Sequence, residues 1–83
     1  MVRPAELTLY SRLYCHLCHD MEVLVQPICE EFGASLTILD VDADPVLEER
    51  FNELVPVLMH GETELARYRL NVPDFRAYMA EIR

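Results

Sequence analysis

The chain contains no lysine. Its seven bases, all arginine, stand against fifteen acids and leave a formal charge of −8. A nucleic-acid partner needs a basic face to neutralise phosphate, and an anionic membrane surface needs the same, so neither is expected. No apolar run approaches the roughly 18–20 residues that cross a bilayer as a helix. The opening Met1-Val2-Arg3-Pro4-Ala5-Glu6 lacks the apolar stretch of a secretory leader, and none is expected. Glycine is limited to Gly33 and Gly61, too few and too far apart for a phosphate-cradling loop. A fourth cysteine is also missing. Small stapled secreted domains usually carry an even set, so three cysteines point to a reducing compartment and a cytoplasmic location.

What is present suits one small globular domain spanning residues 1–83. Hydrophobic residues make up 52% of the chain and charged ones 27%, which excludes intrinsic disorder. A domain of this length buries only about 60–65% of its unfolded surface, so it sits near the lower end of what folds unaided.

Leu7-Thr8-Leu9-Tyr10 reads as a strand, with Leu7 and Leu9 on one face under a period of two. Ser11 to Tyr14 is the turn after it. From His16 to Phe32 the period changes: Cys18, Met21, Val25, Ile28, Cys29 and Phe32 recur at three and four residues, as on an amphipathic helix. Pro27 lacks an amide hydrogen and crowds the preceding turn, so a kink or break is expected near Gln26. Gly33 is placed to end the helix. Ser35-Leu36-Thr37-Ile38-Leu39-Asp40 reads as a second strand, apolar enough to be central in a sheet. Asp44-Pro45 opens a short helix as N-cap and first residue, with Leu47 and Phe51 inward. Pro56 to His60 is a third strand; Gly61-Glu62 turns it back into a fourth, Thr63 to Tyr68. A last helix starts at Asn71 or Pro73 and carries Phe75, Tyr78, Met79 and Ile82 inward. The order β-α-β-α-β-β-α implies an α/β fold: a four-stranded mixed sheet with three helices on its faces.

Cys15-His16-Leu17-Cys18 follows the first strand and its turn and begins the first helix. A helix N-terminus offers unpaired amides and the positive end of the helix dipole, and both favour thiolate over thiol. A cysteine of pKa about 8.5 is only about 3% thiolate at pH 7, whereas one shifted to about 6.5 is about three-quarters thiolate. Two intervening residues let Cys18 reach Cys15 across one tight turn. Cys15, nearer the terminus, is the expected nucleophile, and Cys18 the shielded resolving thiol.

Tyr10-Ser11-Arg12-Leu13-Tyr14-Cys15-His16-Leu17-Cys18 resembles the active-site strand and turn of glutaredoxins. Arg12 matches that family's basic residue three positions before the nucleophile, and Val55-Pro56 matches its Val-cis-Pro dipeptide before the third strand. The resemblance covers nearly the whole chain and implies a thioredoxin-like fold with thiol–disulfide oxidoreductase activity on protein or small-molecule disulfides. It implies electrostatic support from Arg12 and substrate contacts at Tyr14, Leu17, Val55 and Pro56. It also implies a cellular reductant as electron donor and no bound cofactor, and the chain is expected to be monomeric. Three departures stand beside it. The dithiol is Cys-His-Leu-Cys instead of Cys-Pro-Tyr-Cys. Leu54 replaces the usual threonine. The Gly-Gly-x-x-Asp stretch that holds glutathione becomes Ala66-Arg67-Tyr68-Arg69-Leu70-Asn71-Val72-Pro73-Asp74. Glutathione as a co-substrate therefore stays open, with Arg67 and Arg69 as candidate charges for an anionic substrate.

Other readings of the same residues also stay open. His16, when protonated, can stabilise the Cys15 thiolate, or it is simply a solvated turn histidine. His19 fits an exposed helix position. Cys15, His16, Cys18 and His19 crowd together like metal ligands, but one turn cannot easily surround a tetrahedral ion and only His60 remains elsewhere, so no metal site is expected; a cluster bridged between two chains stays open. Cys29 lies eleven residues beyond Cys18, about 16 Å along a helix, out of disulfide reach, and reads as a core residue. Asp40-Val41-Asp42-Ala43-Asp44 starts like a calcium loop, but Pro45 and Phe51 stand where glycine and glutamate are needed. A non-catalytic module that adds a partner strand beside Val55 and Pro56 is the alternative to an enzyme.

Overall fold

A computed structural model describes residues 4–82 of the chain. Strand β1 (Glu6–Ser11) leads through a turn into helix α1 (His16–Phe32), followed by β2 (Ser35–Asp40). A short 3₁₀ turn (Val41–Ala43) precedes α2 (Pro45–Phe51), and a second (Asn52–Leu54) leads to β3 (Val57–His60). Strand β4 (Thr63–Arg67) and helix α3 (Val72–Ile82) complete the chain. The strands form one sheet in the order β2-β1-β3-β4, with β1 parallel to β2 and antiparallel to β3, and β3 antiparallel to β4.

The alternation along β1 and β3 divides the interior in two. Leu7 and Leu9 of β1 and Leu58 of β3 face Met21, Val25, Ile28 and Cys29 of α1 and Phe75 and Met79 of α3. Val57 and Met59 point the other way, into a cluster with Val41, Phe51, Val55 and Cys18. Tyr10 stacks on Phe51 there, with ring centroids 4.1 Å apart, and so fixes α2 against the sheet. Helices α1 and α3 therefore cover one face and α2 the other.

Local signals set the element ends. Asp44 accepts a hydrogen bond from the Val46 amide with Pro45 at the first helical position, and Asn71 likewise caps α3 through the Asp74 amide. Gly33 closes α1 at φ 69°; its amide bonds to the Glu30 carbonyl and the Ala34 amide to the Cys29 carbonyl. A Cβ at Gly33 would meet no atom within 4 Å. Gly33→Ala is therefore expected to cost about 1 kcal/mol, from the left-handed backbone alone. The denaturant midpoint should fall with its slope unchanged.

Two expectations are corrected. Helix α1 runs unbroken through Pro27. Pro27 and Val23, whose carbonyl loses its amide partner, both lie on the exposed side of the helix, where water replaces the missing bond. Strand β2 is an edge strand with Ile38 and Leu39 exposed, and is not central. Its apolar run suits a buried strand, but β1 and β3, whose inward side chains are more thoroughly enclosed, occupy the middle of the sheet.

Candidate active site: a dithiol at a helix N-terminus

The end of β1 and the turn after it deliver Cys15 to the N-cap of α1. Its backbone is extended, at φ −133° and ψ 109°, while its carbonyl already accepts the first helical bond, from His19 at 3.0 Å. The Cys15 sulfur accepts the Cys18 amide at 3.1 Å, taking the place a serine or aspartate oxygen takes in an ordinary cap. The sulfur thus sits on an unpaired helix amide, which favours negative charge on it.

Cys15 and Cys18 are joined as a disulfide, with their Cα atoms 5.1 Å apart. Their surroundings differ. Cys18 is only 1% exposed and packs in the cluster of Val41, Phe51, Val55, Val57 and Met59, whereas Cys15 lies at the edge of that cluster and is half-buried. One sulfur faces solvent and the other is enclosed, the asymmetry expected of an attacking and a resolving thiol. Leu13 is 79% exposed and Tyr14 99% exposed beside them. With Cys15, His16 and His19, these two line an open groove of about 370 Å³. Nothing in the periodicity of the turn marked Leu13. Large apolar residues in a segment too short to bury them were the available signal.

Val55 and Pro56 come to the dithiol from the far end of the sequence. Both are buried, the bond between them is cis, and Val55 shares the cluster that holds Cys18. The Pro56 carbonyl accepts the Tyr68 amide at 2.9 Å, so the segment after β4 is drawn to the same end of the sheet. Tyr68 has a positive φ of 66°.

The arginines are mostly engaged. Arg12 points its guanidinium at Asp42, 3.1 Å away in the connection after β2. Asp42, one of the acids of residues 40–53 that lie remote from the dithiol in sequence, thus returns to the turn before it. Arg67 pairs with Glu64 at 2.7 Å and Arg76 with Glu31. Arg69 has no carboxylate partner among the described residues. His16 is exposed, and His19 stands 3.9 Å from Glu22. Among the described residues no three His, Cys, Asp or Glu side chains converge as a metal site, and no helix is long and apolar enough to cross a membrane.

Cys29 is buried among apolar side chains, and burial raises its thiol pKa above the ordinary value. It stays protonated at neutral pH and is shielded from reagents. In the reduced native protein, a thiol-alkylating reagent at pH 8 should label Cys15 rapidly and Cys29 only after unfolding; peptide mass mapping reads both.

Comparison with known proteins matches this geometry. The model of the glutaredoxin-like domain (DUF836) matches residues 6–80. A Nitrosomonas europaea protein of known solution structure is 30% identical, covers 94% of each chain and superposes with a TM-score of 0.76. An X. campestris protein solved by X-ray diffraction is 28% identical over 90% of this chain and 96% of its own, with a TM-score of 0.72. Thioredoxin 1 of Thermosipho africanus, 19% identical over 92% of this chain and 96% of its own, has a TM-score of 0.63 and shares the fold. No curated protein matches the chain. With its four-stranded sheet, three helices and Cys-x-x-Cys at the first helix, this chain has the thioredoxin fold and belongs to the glutaredoxin-like domain family.

Proposed function

We propose that this protein is a cytoplasmic thiol–disulfide oxidoreductase acting on disulfides of proteins or small thiols. The observation that carries the reading is the half-buried Cys15 sulfur as N-cap of α1, one turn from an enclosed Cys18. In the reduced protein the Cys15 thiolate attacks one sulfur of a substrate disulfide. The substrate S–S bond breaks, one sulfur leaves as a thiolate and takes a proton from water, and the other remains joined to Cys15. Cys18 then gives up its proton and attacks the Cys15 sulfur, displacing the second substrate thiolate. The substrate has gained two electrons, the protein holds the Cys15–Cys18 disulfide, and a cellular thiol reductant restores the dithiol.

The remaining predicted residues have supporting roles. Tyr14 and Leu17 flank the attacking sulfur, and Val55 with Pro56 forms the wall behind it, where an extended substrate segment can pair with the backbone. Arg12 supports the thiolate only to the extent that Asp42 leaves its charge uncompensated. His16 adds positive charge when protonated. No resident cofactor is needed for these steps, and glutathione enters, if at all, as a co-substrate.

The test is an equilibrium titration. The Cys15–Cys18 couple is poised in graded glutathione buffers, and the reduced fraction is read by alkylation and mass. An exchange catalyst should titrate between about −270 and −120 mV, and a midpoint below about −300 mV, the range of structural disulfides, would overturn the reading.

A further inference from the structure

Eight large apolar side chains are exposed among the described residues, and five of them gather at the dithiol end of α1. Leu13 and Tyr14 line the groove at Cys15. Val23, 55% exposed, Leu24, 43% exposed, and Tyr68, 41% exposed, line a second and larger groove of about 590 Å³ between α1 and the corner after β4. The two grooves adjoin at His19, which lines both, and Leu17, between the two cysteines, lines the larger. Val23 and Leu24 lie off the inward stripe of Met21, Val25 and Ile28, so the core does not account for them. The corner is held by its backbone, with the Tyr68 amide on the Pro56 carbonyl and the Arg69 amide on the Arg67 carbonyl.

We propose that this second groove docks a neutral or basic polypeptide segment carrying apolar side chains next to its disulfide. The proposal rests on the redox reading and names the substrate class. Charge and surface select it over glutathione, whose two carboxylates leave it net negative. The groove lining carries one acid, Asp20, and one arginine, Arg69, so its formal charge is zero, and Arg12 and Arg67 are already paired with acids. One arginine is too few to hold both carboxylates of a small anion. A chain of charge −8 also repels acidic partners at long range. The groove instead offers Leu17, Leu24, Leu70 and the ring of Tyr68, which fit apolar side chains flanking the target cysteine. An apolar side chain leaving water for that surface strengthens docking, and the single arginine of the groove does not compensate a buried carboxylate pair.

Two measurements decide the matter. In the first, the oxidised ¹⁵N-labelled protein is titrated with a short peptide carrying Leu and Phe around a serine in place of the target cysteine. The same titration is run with an Asp-flanked peptide and with S-methylglutathione. The apolar peptide should move the amides of Leu17, Leu24 and residues 68–70, with an affinity about tenfold above the other two. Shifts elsewhere, no shifts, or tighter binding of S-methylglutathione would overturn the proposal. In the second, kcat/KM is compared for the corresponding cysteine-peptide disulfide and for hydroxyethyl disulfide, too small to reach the groove. Leu24→Glu changes an exposed helix position, and Tyr68→Gly suits the positive φ. Each should lower the peptide value about tenfold and leave the hydroxyethyl value within about twofold. Equal loss on both substrates, or loss on neither, refutes docking there. Docking shifts without turnover of either disulfide refute the redox reading and leave the groove assigned.

Discussion

Cys15→Ser is expected to reduce disulfide-reduction activity to background, a loss of roughly 10³-fold or more, as follows from removing the nucleophile. The variant should fold normally, because a serine oxygen caps a helix at least as well as sulfur. Cys18→Ala should fail differently. Its Cys15 still attacks, but nothing displaces the second substrate sulfur, so one equivalent of substrate accumulates as a mixed disulfide visible as a mass adduct. Alanine is the better replacement at this position. Cys18 is enclosed in an apolar cluster, and a serine hydroxyl there would meet only hydrocarbon, at a cost of about 1–3 kcal/mol. A Cys15→Ser variant as active as the wild type would end the assignment. An adduct on Cys15→Ser and none on Cys18→Ala would reverse the two roles.

Leu58→Ala is expected to produce the largest loss of stability. Leu58 is fully buried on the central strand β3, opposite Leu9 of β1 and Ala66 of β4, and faces the cluster under α1 and α3. Removing three carbons there costs about 2–5 kcal/mol in transfer energy and cavity formation. A domain of this length has only about 4–12 kcal/mol in total. The melting temperature should fall by roughly 10–30 °C. Val46→Ala, exposed on α2, is the contrast: its effect should stay within about 0.5 kcal/mol. Similar melting temperatures for the two variants would mean that the cluster under α1 and α3 does not hold the sheet together. Thermal melts followed by circular dichroism measure both.

These expectations rest on parts of the molecule with unequal legibility in the sequence. The helix from His16 to Phe32, its Gly33 end and the Asp44-Pro45 start could be read residue by residue, since each depends on neighbours within one or two turns. The dithiol was legible for the same reason: cap, turn and spacing are local. Strand order was less so. Ser35 to Asp40 is apolar enough for the middle of a sheet, yet its place at the edge is decided by which strand β1 pairs with on its other side, and that strand begins only at Val57. Pro27 shows a limit of another kind. A proline breaks a helix when the orphaned carbonyl is enclosed, and its solvent-facing side follows from the packing of Val25 and Ile28. For Arg12, a role beside the thiolate is implied by the family resemblance. Its bond to Asp42 spans thirty residues and needs the parallel β1–β2 register that sets Ser11 beside Asp40. The groove at Tyr68 was hidden for the same reason.

The Arg12–Asp42 contact also bears on how the site moves. It joins two segments outside the strands and long helices: the turn that carries Leu13 and Tyr14, and the connection between β2 and α2. An exposed pair of this kind contributes only about 0–1 kcal/mol. The side-chain tether from Arg12 is thus a contact that thermal energy breaks often, and salt weakens it further. Opening of the turn becomes a low-energy fluctuation, separate from the unfolding of the sheet, while Val41, buried in the cluster at Cys18, holds the β2–α2 connection in place. A substrate arriving at Cys15 then meets a rim that yields, above a sulfur whose position is fixed by the helix beneath it.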